Sequence, residues 1–169
     1  MADTDGKPPK RRSLGGWKFV AAIVLILAYS GTAAYGVMSD TSVRGLTVKM
    51  FNVSRYCTAK SSFLKTLNYN VRGAIWSASS VQTSLSHLTF TLSVDGSAIG
   101  TSSQGDSSFA PGHSVPFNLT FTDTTLNPTS LPLSSRLVLT VSATVAAGLY
   151  SANEAASDNI LQSFGSTRC

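Results

Sequence analysis

The chain has 169 residues, of which 43% are hydrophobic and 12% are charged. This length suits one ordinary domain plus a short additional segment, and the charged fraction is about half that of a typical globular domain. Intrinsic disorder requires low hydrophobicity and high net charge, so this composition excludes a disordered chain. The many serine and threonine residues favour β-strands with polar, uncharged outer faces.

The net charge of +5 is distributed unevenly along the chain. The basic leader, residues 1–18, contains two acids and five cations, which are Lys7, Lys10, Arg11, Arg12 and Lys18. A second stretch, residues 44–72, contains cations and no acid. Nucleic-acid binding is one interpretation of that stretch. We favour a solvated strand face, and we expect no nucleic-acid partner.

A run of twenty residues, which begins at Phe19 and ends at Met38, carries no charge. As an α-helix it would reach about 30 Å, the thickness of the hydrocarbon core of a bilayer. Trp17 and Tyr35 lie near its two ends, where aromatic rings prefer the membrane interface. The sequence therefore predicts a single transmembrane helix whose partner is the lipid bilayer.

The excess of cations before this helix predicts its orientation. Cytoplasmic flanks are enriched in lysine and arginine, so we expect a cytoplasmic N-terminus and an extracytoplasmic C-terminal domain at the cell membrane. The predicted organisation is a leader over 1–18, a transmembrane helix over 19–38, a polar stalk over 39–45 and a domain over 46–169. A cleaved signal peptide is the main alternative, because small residues follow a short apolar core at 19–29. A packed helix of a soluble domain is a further alternative.

Alternation of apolar and polar residues predicts strands in the C-terminal domain. The apolar sets are Leu88, Phe90, Leu92 and Val94; Val115, Phe117, Leu119 and Phe121; Leu137, Leu139, Val141, Ala143 and Val145. Asp95-Gly96 and Pro111-Gly112 read as turns between strands. The pattern predicts an all-β, antiparallel, immunoglobulin- or fibronectin-like β-sandwich of about six to eight strands. We also expect a short helix within 152–164.

Residues 85–121 resemble one known family. They read LSHLTFTLSVDGSAIGTSSQGDSSFAPGHSVPFNLTF. An alternating strand, a glycine turn, the small-apolar-glycine step Ala98-Ile99-Gly100, a Pro-Gly turn and a second alternating strand are similar to the LEA2/WHy family, the water-stress and hypersensitive-response domain. The resemblance implies a β-sandwich, a membrane-anchored arrangement, and a role in the cell envelope or in stress protection.

Two serine-containing fragments look like hydrolase motifs but lack their partners. Ser107 lies in a GDSS fragment without the distant Asp-x-x-His that would supply a base, and a serine without a positioned base is a poor nucleophile. His113 lies in GHSVP, where the glycine of a nucleophile elbow is replaced by Pro116. His87 has no companion ligand at metal-binding spacing. We therefore predict no enzyme activity, no catalytic or metal-binding residues, no cofactor and no small-molecule substrate.

Two kinds of covalent modification are open to an exported domain. Cys57 and Cys169 are the only cysteines and are candidates for one disulfide. Free thiols and intermolecular pairing are the alternatives. Asn52 and Asn118 begin Asn-x-Ser/Thr sequons and are candidate N-glycosylation sites.

The sequence predicts a non-enzymatic anchored membrane protein, and two other classes stay open. One is a filament subunit, in which signal-peptide cleavage frees residues 37–56 to complete a neighbouring sandwich by strand addition. The other is an accessory subunit of a membrane protein complex, whose helix packs through small residues. Those residues are Gly31, Ala33, Ala34 and Gly36.

Overall fold

A computed structural model describes residues 14–59, 65–124 and 131–164 of the chain. These residues form one helix and eight strands. The elements are α1 (Leu14–Arg44), β1 (Leu46–Ala59), β2 (Lys65–Ser77), β3 (Thr83–Val94), β4 (Ser97–Gln104), β5 (Ser107–Phe109), β6 (Ser114–Asp123), β7 (Ser134–Ala147) and β8 (Tyr150–Ser163).

The strands form two antiparallel sheets that pack face to face. Sheet A has the order β1-β2-β6, and sheet B has the order β4-β3-β7-β8, with β5 pairing to β3. This confirms the predicted β-sandwich preceded by one N-terminal helix. The strand β1 forms one edge of sheet A, and β8 forms one edge of sheet B.

The core lies between the sheets and comes from alternate residues of each strand. All the apolar sets predicted for β3, β6 and β7 are buried. The rings of Phe90 and Phe117 meet across the two sheets with their centroids 5.0 Å apart. Burying a large apolar side chain contributes about 1.5 to 3 kcal/mol, so this alternation is what holds the sheets together.

Both predicted turns are present and have the backbone conformation that their residues favour. Asp95 and Gly96 have φ angles of 51° and 86°, the two positive values that a tight hairpin turn requires. Gly112 has a φ of 75°, and the His113 amide donates to the Ala110 carbonyl at 3.1 Å, which closes the Pro-Gly turn.

The chain divides into two units, residues 1–35 and residues 36–169. In the first unit most of the described helical residues are apolar and exposed; Trp17 is 80% exposed and Leu25 is 69% exposed. The helix from Gly16 to Arg44 is long and apolar enough to cross a membrane. A signal sequence near the N-terminus has the same properties.

In the second unit, residues 39–45 differ from the predicted polar stalk. The helix continues to Arg44, and Ser39, Ser42 and Val43 are buried. The Ser42 hydroxyl donates to the Met38 carbonyl at 2.6 Å, so its polarity is satisfied within the helix. The Ser77 hydroxyl donates to the Ser42 carbonyl at 2.9 Å and joins the helix end to β2. The polar composition therefore marks a docked helix end rather than a linker.

The predicted helix within 152–164 is wrong. These residues belong to β8, which pairs with β7 along its whole length, from Tyr150 opposite Ala147 to Ser163 opposite Ser134. The half-buried face of β8 includes Ala152 and Ala156, which are too small to mark a strand by their hydrophobicity. Phe164 is buried, whereas Leu161 is 76% exposed.

We expect the substitution Gly73→Ala to destabilise the sandwich by about 1 to 3 kcal/mol, the usual cost of overpacking a core. A Cβ at Gly73 would collide with the backbone oxygen of Lys49 and with the ring of Phe117. Thermal and chemical unfolding of the full chain in detergent, followed by circular dichroism, measures the change. Gly100→Ala is the matched control, because a Cβ at that β4 position meets no atom within 4 Å. Equal stability of the two variants would contradict this account of the packing.

Candidate functional surfaces

A buried polar cluster lies at the end of the sandwich where β1 and β8 finish. We call Arg55, Tyr69, Asp123 and Phe164 the Arg55 cluster. The Arg55 side chain is 8% exposed; its Nη1 donates to the Pro132 carbonyl at 2.9 Å, and its guanidinium lies 4.3 Å from the centroid of the Phe164 ring. Tyr69 meets the same ring edge-on, with the centroids 6.1 Å apart. The cluster thereby ties the residue that follows β8 to β1.

The electrostatics of this cluster favour a neutral tyrosine. Burial raises the pKa of Tyr69, and the nearby Arg55 guanidinium opposes that rise, while the Asp123 carboxylate adds to it. Desolvation disfavours the charged form of a buried phenol, so Tyr69 keeps its proton to higher pH than an exposed tyrosine. The cluster is thus arranged for structural bracing by one buried cation.

The outer face of sheet A consists of the side chains that β1, β2 and β6 direct away from the core. Amides and hydroxyls dominate it and are joined across strands. Asn68 donates to the Thr58 hydroxyl at 2.9 Å and accepts from the Thr122 hydroxyl at 2.8 Å. Asn70 donates to the Asn118 side-chain oxygen at 2.9 Å. These bonds hold a polar face in register without using charge pairs.

Both sequon asparagines lie on this outer face, in one row of the sheet. Asn52 and Asn118 are each directly opposite Arg72, from its two sides, and both are exposed. The sequence places the sequons 66 residues apart, and only the strand order brings them together. N-glycosylation at these positions stays a prediction.

A cleft opens between the edge strands β1 and β8, and we call it the β1–β8 cleft. Its volume is about 510 Å³, and its walls are residues 46–49 of β1, Trp76 of β2, and Ala156 and Ser157 of β8. At one end the Met50 amide donates to the Asp158 carboxylate at 2.7 Å. Phe51 follows, in a β-bulge, 64% exposed and packed edge-on against Trp76. A cleft of this size lies within the range of ligand-binding pockets.

The two serine-containing fragments lie on different elements: GDSS runs into β5, and GHSVP runs from the Pro-Gly turn into β6. The Ser107 hydroxyl lies on β5 and bonds the Gly105 carbonyl at 3.4 Å. His113 is exposed in the Pro-Gly turn. Asp158 is on β8, where its carboxylate accepts a hydrogen bond from the Met50 amide.

His87 occupies a β-bulge in β3 with a φ of 53°, a conformation that favours glycine. It borders a shallow groove of about 260 Å³, shared with Ser142, Thr144 and Asn153. No cluster of three or more metal-ligand side chains occurs within residues 14–59, 65–124 and 131–164.

Cys57 is half-buried on β1, two residues after Arg55. It is not a free thiol. Cys169 lies outside the described residues, so the pairing of these two cysteines stays a prediction.

Sequence reasoning missed both the Arg55 cluster and the β1–β8 cleft. Arg55 interrupts the row of solvated cations expected over 44–72, because its side chain is on the inward face with Val53. That signal was available, since period-two alternation from Val53 places residue 55 inside. The cleft offers no such signal, because it depends on which two strands become neighbouring edges.

Comparisons with known proteins give a general structural similarity and no family. The chain matches no protein-family model. It also matches no curated protein sequence. A protein from Archaeoglobus fulgidus is similar at 7% identity over 68% of this chain and 97% of its own, with a TM-score of 0.39.

Two bacterial structures are similar to the same extent. The sporulation control protein Spo0M from Bacillus subtilis has 13% identity over 71% of this chain and a TM-score of 0.43; this chain spans 49% of its length. The putative ApaA protein from Bordetella pertussis has 12% identity over 74% of this chain and 99% of its own, with a TM-score of 0.43. Similarity at this level carries no argument about activity or partners.

The protein should lose less of its folding stability at alkaline pH when Tyr69 is replaced by phenylalanine. The unfolded chain loses the phenolic proton near pH 10, whereas the folded chain keeps it longer, because burial raises the pKa of Tyr69. The contribution of Tyr69 to the free energy of unfolding is therefore fully present below about pH 10. It is lost as the pH rises through the folded-state pKa of Tyr69. Midpoints of thermal unfolding from pH 8 to pH 11 measure it.

The control for this measurement is Tyr56→Phe, since Tyr56 is 44% exposed on the outer face of sheet A. We expect Tyr56→Phe to follow the unaltered chain throughout the pH series. A Tyr69→Phe curve parallel to the unaltered chain above pH 10 would contradict the assigned burial effect.

We expect Cys57 and Cys169 to form one intramolecular disulfide in the exported chain. A loop of this length would stabilise the fold by up to about 5 kcal/mol on the chain-entropy model. The intact mass without reductant should be lower by two hydrogen atoms than the mass after reduction. Cys57→Ser should abolish that difference and lower the unfolding midpoint. A non-reduced mass equal to that of a covalent dimer would show intermolecular pairing instead.

Proposed function

We propose that the protein is a non-enzymatic, single-pass membrane protein that displays a LEA2/WHy-like β-sandwich on the extracytoplasmic side of the cell membrane. In this proposal the domain has a scaffolding or stress-protective role in the cell envelope. One N-terminal apolar helix followed by a β-sandwich is compatible with a single-pass membrane protein. The orientation, the envelope role and the LEA2/WHy relationship belong to the proposal.

The observation that carries the proposal is the exposed apolar surface of the helix. Phe19, Leu25 and Leu27 are each more than half exposed, and they lie on different sides of one helix. A helix that is apolar all round needs an apolar environment, and the bilayer supplies one. Gly45 alone separates the end of this helix from β1.

The surface chemistry supports a passive role in a hydrated layer. The outer face of sheet A uses amides and hydroxyls that bond one another across strands. On sheet B, Thr91 lies between Thr101 and Thr140 in one row, which again presents hydroxyls. Such faces bind water and polar envelope material through hydrogen bonds, which suits a scaffolding role.

The filament alternative requires residues 37–56 to leave their own sheet. In the structure β1 pairs with β2 from Leu46 to Ala59, and Val43 and Ser42 are buried beside it. Releasing this segment would expose the buried side chains of β1 and break the β1–β2 ladder from Leu46 to Tyr56. The geometry therefore favours a domain that is complete in one chain. An accessory subunit of a membrane complex remains compatible with the same anchored arrangement.

Membrane retention and orientation test the proposal. We expect the mature chain to retain residues 19–38, to resist carbonate extraction, and to lose a C-terminal epitope to protease on intact cells while an N-terminal epitope is protected. Leu27→Arg should cost about 3 kcal/mol of insertion and shift the chain out of the membrane fraction. Leu27→Ala is the matched control. A mature mass that lacks residues 1–36 would establish signal-peptide cleavage and overturn the anchor.

A further inference from the structure

We infer that the β1–β8 cleft is a binding site for an extended, acidic peptide segment of a protein partner. The segment would pair antiparallel with residues 46–49 and place a carboxylate beside Lys49. This names a partner class for the proposed scaffolding role, on which the biological meaning of the site rests. The binding chemistry itself depends only on the sandwich.

The hydrogen bonds of β1 show which backbone groups face the cleft. The Ala78 amide donates to the Gly45 carbonyl at 3.2 Å, so Gly45 and Ala78 form a hydrogen-bonded pair of the β1–β2 ladder. In an antiparallel ladder such pairs alternate with pairs that direct their amides and carbonyls away from the neighbour. Leu46 and Val48 are in that second class. Their backbone groups therefore point away from β2, toward β8.

An independent contact confirms this direction. Met50 is next in the alternation, and its amide donates to the Asp158 carboxylate on β8 at 2.7 Å. Here a side-chain oxygen occupies the position that the carbonyl of an added strand would take. No backbone hydrogen bond joins β1 to β8 in the part of the chain that the structure describes. Within the described residues, the amides and carbonyls of Leu46 and Val48 therefore have no backbone partner on the β8 side, and these two residues are 8% and 5% exposed.

The side chains of the cleft indicate what kind of strand would fit. Leu46, Val48 and Ala156 give an apolar wall, and Trp76 forms the rim. Lys49 is the one charged side chain that lines the cleft. Alternating residues of an added strand would place apolar side chains against that wall and a carboxylate next to Lys49.

The positive charge on the outer face of sheet A also favours an acidic peptide. The side chains that the described residues of β1, β2 and β6 direct to the outer face of sheet A include Lys49 and Arg72 and no acid. A lipid acyl chain would fit the apolar wall but would leave the backbone amides and carbonyls unpaired, which is costly when water is displaced. An extended peptide satisfies both requirements.

The structure also limits how long the added strand can be. The Met50 amide already donates its hydrogen bond to the Asp158 carboxylate. The bulge at Phe51 interrupts the regular β1–β2 ladder. On the opposite edge, Glu154 and Asp158 lie on the half-buried face of β8, and inward acids of this kind discourage uncontrolled edge pairing. The site is thus a short, selective acceptor of about four residues rather than an open aggregation edge.

The test uses the full chain in detergent micelles and a capped peptide, acetyl-Ser-Glu-Val-Thr-Val-amide, as the probe. Its glutamate falls opposite Lys49 when its two valines pair with Val48 and Leu46. We expect saturable binding by isothermal titration, with slowed hydrogen exchange at the amides of Leu46 and Val48. A probe with lysine in place of glutamate should bind more weakly. So should a probe with an N-methyl group on its first valine.

A matched pair of variants separates backbone pairing from side-chain contact. Val48→Pro removes the amide that faces the cleft and leaves the β1–β2 ladder bonds, whereas Val48→Ala removes only side-chain atoms. We expect Val48→Pro to bind the probe about tenfold more weakly than Val48→Ala, as for one lost hydrogen bond that leaves its partner unsatisfied. Circular dichroism confirms that both variants fold. The N-methyl probe applies the same test to the unaltered protein if Val48→Pro does not fold.

Several results would overturn the inference. They are the absence of probe binding at millimolar concentration, equal binding by Val48→Pro and Val48→Ala, and insensitivity to N-methylation. Palmitate binding that displaces the probe and persists in Val48→Pro would assign the cleft to lipid. Because binding in micelles does not depend on orientation in the cell, these outcomes are distinguishable from a failure of the membrane topology.

Discussion

The ladder between β1 and β2 is the interaction on which the other features depend. It starts where the helix ends, with the Ala78 amide bonded to the Gly45 carbonyl, and it runs from Leu46 to Ala59. Because strand register is set by side-chain burial on one face, this ladder fixes which β1 residues enter the core. It places Arg55 inward, Asn52 outward and the Leu46 backbone toward the cleft. A slip of one residue would exchange all three positions.

The sequence was sufficient where large apolar residues alternate. In β3, β6 and β7 residues such as Phe90, Phe117 and Leu139 carry enough hydrophobic free energy to reveal their face. It was insufficient in β8, where the half-buried face carries alanine and acidic side chains, and at 39–45, where the Ser42 hydroxyl bonds its own helix. The Arg55 cluster and the cleft follow from strand order, which brings residues about a hundred positions apart together. A local pattern contains no information about such neighbours.

Polar groups find their partners in different ways on the outer face of the sandwich and in its core. On the outer face, neutral amides and hydroxyls bond one another. Because these groups are uncharged, pairing them does not require the hydration of a charge to be given up. Inside, among the described residues, the Arg55 guanidinium lies between an aromatic ring and a backbone carbonyl, and the Asp123 carboxylate is also buried. Removing one partner from a buried charged cluster lowers the free energy of unfolding more than breaking an interaction on the surface does. The groups that remain are still buried and have lost their partner.

The bulge at Phe51 divides β1 into two parts with different properties. Beyond it, Arg55 and its neighbours lock the strand to β2, to Phe164 and to Pro132. Before it, Leu46 and Val48 are anchored by their buried side chains, and among the described residues their backbone groups have no hydrogen-bond partner on β8. An edge strand that accepts a further strand needs buried side chains, which fix its register. It also needs backbone amides and carbonyls that have no partner and can form hydrogen bonds. One strand meets both requirements because the bulge and Asp158 end the open part where the locked part begins.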